Sequence, residues 1–565
     1  MKIKFIGATK SVTGSCYFLT FNINGALKYA LVDCGMYQGD SETDRKNYTD
    51  FPFDPSKLDY VFLTHVHIDH SGLIPKLVKS GFNGKIVTTD ATADLATIML
   101  LDSARIQESE TERYNRRRLH EGKTLKEPLY TEDDAKAALK FFAPVKYNQV
   151  FSPYAGVELT FHDSGHVLGS AFLKFKIKED GESFTVVFSG DVGNAPVPIL
   201  KDPETIGESD YVIMESTYGD RVRENDGERS NQLAEAVKAA INAGGKVIIP
   251  SFAVGRTQEL IYEIHQLRDK KMIPEVPVYI DSPMACSATE VFRKHAECFD
   301  QEMMNYLNSS DDPFNFSNIF YSSTPDQSRA INVINEPQVI IASSGMANNG
   351  RILHHLKYNI FKKECTILFV GYQAVGTLGR LISDGEKNVM IMGNKYAVNA
   401  SIKMIHGYSS HADQKGLLNW LNTASQKPRN VFLMHGEENS KKILQGKLSE
   451  NAVASVIPDE FDEYEIVSSK VFRQTCDGRA LKPLVDPGAE KLFARQAAKV
   501  EAVQGHRGSV MEVPLKMVEP LAPVDDNMIE KLSKRDMLKI LKEFRSQLQS
   551  MASKIDNIIF KVKKQ

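Results

Sequence analysis

The chain has 565 residues, more than one hydrophobic core usually organises, so two or three domains are expected. Hydrophobic residues make up 42% and charged residues 25%, and the net charge of −3 excludes a global field that recruits nucleic acid; any such binding must come from a local surface. The six cysteines, Cys16, Cys34, Cys286, Cys298, Cys365 and Cys476, are scattered without a C-x-x-C pair, which excludes a disulfide framework and points to reduced thiols. No apolar run reaches transmembrane length, and residues 1–8 alternate like a strand rather than a leader peptide. A cytoplasmic protein without membrane association is therefore expected.

Along the chain, residues 3–7, 16–22 and 26–33 have strand composition. Asp33 ends the last of these before Gly35, where a carboxylate can accept a hydrogen bond from a metal-binding histidine. Residues 58–63 form another β-branched and aromatic run, which leads into Thr64-His65-Val66-His67-Ile68-Asp69-His70-Ser71-Gly72; residues 73–79 then read as a helix. Three histidines and an aspartate within six residues, at a strand-to-helix junction, fit metal ligation, and zinc accepts imidazole and carboxylate together. Alternate side chains of an extended segment point the same way, so His65 and His67 can grip one ion while Asp69 and His70 face a second.

Residues 90–142 read as helical and highly charged, and the Arg116-Arg117-Arg118 run within them is first of all a solvated face. Further on, His166 in Ser-Gly-His-Val-Leu-Gly-Ser and Asp191 after the apolar run 184–188 each follow a strand-like stretch beside glycines, a setting from which a ligand projects at a sheet rim. Taken with the first motif they suggest two zinc ions per chain: His65, His67 and His166 on one, Asp69 and His70 on the other, Asp191 bridging.

From 211 onward, helical and strand patterns alternate (230–243, 246–253, 256–267, 276–281, 285–295, 338–343, 366–371), which predicts a second domain with a parallel sheet covered by helices. Glycine-bearing turns at its strand ends make Arg256, Ser344, Arg351 and Arg380 candidates for phosphate contact. Beyond it come Ser409-Ser410-His411-Ala412-Asp413, ahead of a helix, and a strand over 430–434 that ends at His435. Residues 468–526 carry Pro483, Pro487, Pro514, Pro520 and Pro523 and read as a linker or small appended subdomain. Residues 527–565 read as a long amphipathic helix: Met537, Leu541, Phe544, Leu548, Met551, Ile555, Ile558 and Val562 fall alternately four and three residues apart, a seam expected to hold a homodimer.

The H-x-H-x-D-H run with distant His166 and Asp191 resembles the metallo-β-lactamase superfamily. Glu215, His411 in Ser-His-Ala-Asp, and His435 resemble motifs A, B and C of its β-CASP nuclease branch, and the similarity is greatest to bacterial and archaeal relatives of the pre-mRNA 3′-end cleavage endonuclease. The resemblance runs from residue 1 to about 467. It implies an α/β fold: an αββα metallo-β-lactamase sandwich (1–210 and 396–467) interrupted by an inserted β-CASP domain (211–395). It also implies His435 as a ligand of the second zinc, His411 as general acid, and Glu215 as the group that orients it. The activity implied is hydrolysis of single-stranded RNA by metal-activated water, leaving 5′-phosphate and 3′-hydroxyl ends, endonucleolytic first and 5′-to-3′ exonucleolytic as a further expected action. Two other readings use the same features: an ester or thioester hydrolase on the same zinc site, and a non-catalytic RNA-processing scaffold. The inserted domain weighs against the first, and retention of all seven ligands against the second.

Overall fold

The first two sheets follow from alternation. In Glu182–Phe188, Phe184, Val186 and Phe188 face one side while Val187 faces the other, and in Tyr211–Glu215 Tyr211 and Ile213 oppose Val212 and Met214. Each strand thus has two apolar faces to bury. The computed structural model describes residues 1–467 other than 40, 121, 122, 180, 223–227, 310, 375 and 406, together with the strands Val471–Gln474 and Lys482–Pro483. The expected helix over 527–565, with its homodimer, lies outside the described residues, as do 484–526.

One sheet has nine strands in the order Lys482–Pro483, Val471–Gln474, Glu463–Ile466, Lys2–Phe5, Tyr17–Ile23, Ala26–Val32, Leu58–Phe62, Lys85–Thr89 and Phe142–Val145. The other has seven: Ser455–Val456, Asn430–Met434, Tyr211–Glu215, Glu182–Phe188, Ala171–Glu179, Val157–Asp163 and Phe151–Tyr154. They pack face to face through aromatic side chains, with Phe62 edge-on to Phe175 and Phe5 against Phe432. Burying each such ring contributes roughly 1.5–3 kcal/mol. The outer faces are covered by helices: Ile74–Lys79, Asp90–His120 and Glu132–Leu139 on the first sheet, Gln414–Leu421 and Glu438–Glu450 on the second. This is the expected αββα sandwich. The first sheet, however, continues past 467, because Val471–Gln474 pairs antiparallel with Glu463–Ile466.

The insertion is a six-stranded sheet in the order Ile319–Tyr321, Val278–Asp281, Gln338–Ala342, Lys246–Pro250, Thr366–Val370, Ser401–Ile405, parallel at every pairing. Helices Arg229–Asn242, Arg256–Asp269, Pro283–Lys294 and Ile352–Asn359 bury it. Sequences such as Val-Ile-Ile and Ile-Leu-Phe-Val are the continuous apolar runs that a sheet covered on both faces requires. Strand pairing sets the edges of the insertion later than the expected 211 and 395. Tyr211–Glu215 lies between Glu182–Phe188 and Asn430–Met434 in the sandwich, whereas Ser401–Ile405 pairs with Thr366–Val370 in the insertion. The sandwich and the inserted sheet both present strand carboxyl ends to one cleft of about 1060 Å³. Among the described residues, no helix is long and apolar enough to cross a membrane.

Candidate active site

Six strands of the sandwich deliver the site residues from their carboxyl ends or just beyond, His166 among them after Val157–Asp163. Asp33 follows Ala26–Val32, the histidine run follows Leu58–Phe62, Asp191 follows Glu182–Phe188, Glu215 closes its own strand, and His435 follows Asn430–Met434. Two of these residues leave their strands through left-handed backbone, Asp33 at φ 57° and His435 at φ 47°. Such conformations cost non-glycine residues of order 1 kcal/mol or more and persist where the surroundings over-determine them. Close backbone packing holds the loops together. A Cβ on Gly35 would lie 1.7 Å from the Asp69 carbonyl oxygen, and one on Gly193 would lie 2.1 Å from that of Gly165, so only glycine allows the loops bearing Asp69, His166 and Asp191 to approach.

The donors converge in two sets. In the first, His67 Nδ1 lies 3.1 Å from both His65 Nε2 and His166 Nε2, and Asp191 Oδ2 lies 3.5 and 3.4 Å from His65 Nε2 and His166 Nε2. In the second, His70 Nε2 and His435 Nε2 are 3.3 Å apart, Asp69 Oδ2 is 3.3 Å from His435 Nε2, and Asp191 Oδ1 is 3.4 Å from His70 Nε2. Asp191 therefore offers one oxygen to each set, and its Oδ1 is buried with no hydrogen-bond partner.

Both sets fit metal ions. Donors about 2.0–2.1 Å from a tetrahedral zinc are about 3.3 Å from one another, which is the spacing found here. The imidazoles are also oriented for it. His70 Nδ1 is 2.8 Å from Asp33 Oδ2, His435 Nδ1 is 3.1 Å from Thr217 Oγ1, His65 Nδ1 is 3.1 Å from Thr64 Oγ1, and His166 Nδ1 is 3.4 Å from the Ser410 carbonyl, which can only accept. In each of these four rings the other nitrogen, Nε2, faces a donor set, the arrangement that fixes the tautomer of a metal-binding histidine. Burial holds His65, His67 and His166 below the usual imidazole range, keeping their lone pairs available at neutral pH. Asp33 is itself held by the Thr64 amide, 2.8 Å from Oδ1, and the Thr64 hydroxyl, 3.0 Å from Oδ2.

His411 stands outside both donor sets. Its Nδ1 is 3.1 Å from Glu215 Oε2, and its side chain is 21% exposed and lines the cleft. Burial works against a charged ring here, but the Glu215 and Asp191 carboxylates outweigh it and raise His411 to about 10. The loop is stitched to that of Asp191 by backbone bonds, Asn194 N to Ser410 O at 2.9 Å and Ala412 N to Val192 O at 2.8 Å, while Val192 N donates to Glu215 Oε1 at 2.6 Å.

The expected phosphate contacts fare differently. Arg256 lines the cleft, yet its guanidinium is paired with Glu259 at 3.0 Å and donates to the Val370 carbonyl at 3.0 Å. Arg351, Ser344 and Arg380 do not line it. Arg351 donates to buried Asp281 at 2.7 Å and to the Ser322 and Ser323 carbonyls, and Arg380 pairs with Asp384 one turn on, at 2.8 Å. A glycine turn places a backbone but does not aim a side chain, and nearby carboxylates claimed these guanidiniums. Sequence reasoning missed Thr64, Thr217 and Ser410, although each is adjacent to or within two residues of a motif residue. A search for hydroxyls beside the motifs would have found the two threonines, whereas Ser410 acts through its backbone carbonyl, which no residue type signals.

The sandwich, the inserted domain and the two donor sets define a metal-dependent hydrolase. Three family models match the chain: the metallo-beta-lactamase superfamily over residues 11–141, the Beta-Casp domain over 257–382, and the Zn-dependent metallo-hydrolase RNA specificity domain over 395–458. Ribonuclease TTHA0252 of Thermus thermophilus is 35% identical over 448 residues, spanning 79% of this chain and 96% of its own. Transcription termination factor FttA of Methanosarcina mazei is 32% identical over 457 residues (78% of this chain, 67% of its own), and that of Methanocaldococcus jannaschii 30% over 449 residues (78% and 67%). The chain belongs to the β-CASP family of the metallo-β-lactamase superfamily.

Proposed function

We propose that the protein is a zinc-dependent ribonuclease that hydrolyses single-stranded RNA, chiefly internally, to 5′-phosphate and 3′-hydroxyl ends. The observation that carries this reading is His411, a histidine held by a carboxylate beside two metal-fitting donor sets but belonging to neither, and open to a cleft large enough for several nucleotides. A thioester, whose thiolate leaves without a proton, gains little from such a group, whereas the departing 3′-oxygen of a phosphodiester needs one. His65, His67, His166 and Asp191 would hold one zinc, and Asp69, His70, His435 and Asp191 the other. The bound zinc pair supplies activated water and neutralises charge on the phosphate. Glu215 keeps the His411 ring oriented and protonated, and His411 passes its proton to the leaving oxygen. Asp33, which touches no substrate in this reading, positions His70. The relatives, a ribonuclease and a transcription termination factor by name, support RNA as the substrate.

The test is cleavage of an end-labelled single-stranded RNA by the zinc-loaded protein, with and without chelator, followed by analysis of the product ends. Chelator-sensitive cleavage leaving 5′-phosphates is expected; cyclic phosphates or 5′-hydroxyls would show that the 2′-hydroxyl attacks, and no cleavage would return the site to the esterase or scaffold readings.

A further inference from the structure

Exposed aromatic side chains are ordinary when scattered singly, but several gathered on one functional cleft mark a binding surface. Four of them line the active-site cleft: Phe252 and Tyr372 in the insertion, 53% and 51% exposed, and Tyr48 and Tyr114 in the sandwich, 44% and 48% exposed. Phe252 and Tyr372 each stand two residues past the end of neighbouring parallel strands, Lys246–Pro250 and Thr366–Val370, so the sheet itself sets them side by side at the mouth. Phe252 lies against Gly345, where even one Cβ would come 3.1 Å from the ring. On the sandwich side, Lys126 Nζ sits 3.7 Å from the Tyr48 ring centroid and 6.0 Å from that of Tyr114, and Arg118 lies 5.5 Å from Tyr114. Asn115 clamps this arm by exchanging two hydrogen bonds with the Lys126 backbone, at 2.8 and 2.7 Å.

The charge of the cleft says what these rings are for. Outside the metal-fitting residues, the described walls carry Asp44, Asp102, Glu110 and Glu259 against Lys126, Arg256 and the protonated His411, and Arg256 is already engaged by Glu259, His411 by Glu215. Phosphates away from the metal-fitting residues gain little from such a surface, so affinity for the rest of a polynucleotide must come from its bases. We propose that Phe252 and Tyr372, with Tyr48 and Tyr114, form a stacking surface for unpaired bases of the RNA substrate, and that this surface, more than phosphate contact, selects single strands. A duplex keeps its base faces stacked on one another and has none to offer.

This rests on the ribonuclease reading and deepens it. The experiment is steady-state cleavage of a short labelled single-stranded RNA by the zinc-loaded full chain and by Phe252→Ala, Tyr372→Ala and Tyr114→Ala, with Phe320→Ala and Phe361→Ala as exposed aromatic controls away from the cleft. Each cleft variant is expected to raise KM about 5- to 100-fold, the range for loss of one stacked base. Phe252→Trp should restore it, and the controls should match the parent. RNA with abasic sugars in place of nucleotides should raise the parent's KM to that of the variants, which then lose nothing further. Salt should weaken binding with a slope of no more than about two phosphate contacts. Unchanged KM in the alanine variants, or equal losses on abasic and ordinary RNA, would overturn the stacking surface while leaving the ribonuclease reading intact. Failure of the parent to cleave any RNA would overturn both.

Discussion

Glu215 and His411 meet at 3.1 Å although 196 residues separate them. One is the last residue of the sandwich strand before the insertion, and the other follows the last strand of the insertion, so the inserted domain sits between the halves of a single acid-and-carboxylate pair. Any movement of the insertion that reopened this contact would also reshape the cleft.

Metal analysis separates ligand from acid. His65→Ala, Asp191→Ala and His435→Ala are expected to lose bound zinc and all cleavage. His411→Ala is expected to retain its zinc by elemental analysis while turnover falls roughly 10²- to 10⁴-fold. A zinc equivalent lost from His411→Ala would make that residue a ligand.

Glu215→Gln tests the electrostatic part of the pair. The carboxylate raises the His411 pKa by favouring its charged form, so removing that charge lowers the pKa and the protonated acid is lost at a lower pH. The alkaline limb of the pH–rate profile should therefore move toward neutrality, with the acid limb little changed. A profile that only scales down, without shifting, would assign Glu215 a purely structural role.

Asp33→Asn should act through His70. Its side chain still accepts from the Thr64 amide, but it no longer offers a charged acceptor to His70 Nδ1–H at 2.8 Å. Zinc affinity, read by competition with a chelating dye, is expected to fall about 10- to 100-fold.

Gly35→Ala places a methyl group 1.7 Å from the Asp69 carbonyl, a backbone atom that also accepts from Ser15 N at 2.8 Å. The histidine loop must shift, at a cost of about 1–3 kcal/mol or more. A lowered melting temperature together with loss of zinc is expected; retention of both would mean that the loop yields more easily than its packing implies.

Arg351→Ala distinguishes a structural arginine from a phosphate contact. Losing its bonds to Asp281 should cost about 1–3 kcal/mol, measured by denaturant unfolding, and should leave the salt dependence of RNA binding unchanged. Arg380→Ala should alter neither, because its exposed pair with Asp384 is worth only about 0.3–0.5 kcal/mol.

Local features of this protein are legible in its residues alone. His65, His67, Asp69 and His70 share one short run whose extended backbone and turn dictate that they point at a common region, and the apolar runs 246–250, 338–342 and 366–370 announce buried parallel strands by their lack of alternation. The family resemblance then supplied Glu215, His411 and His435 as points along a line. How distant points come together depends on strand pairing and packing across the folded chain. Tyr211–Glu215 belongs to the sandwich because Asn430–Met434 pairs beside it, and Ser401–Ile405 belongs to the insertion because Thr366–Val370 does, and no periodicity within either strand names its partner. The same holds for side chains that compete for neighbours. Arg256, Arg351 and Arg380 look alike as arginines near glycine turns, and it is the carboxylates of Glu259, Asp281 and Asp384 that claim them. The aromatic walls of the cleft, drawn from segments more than three hundred residues apart, are likewise a product of packing, because exposure is a property of the folded surroundings and not of the residue.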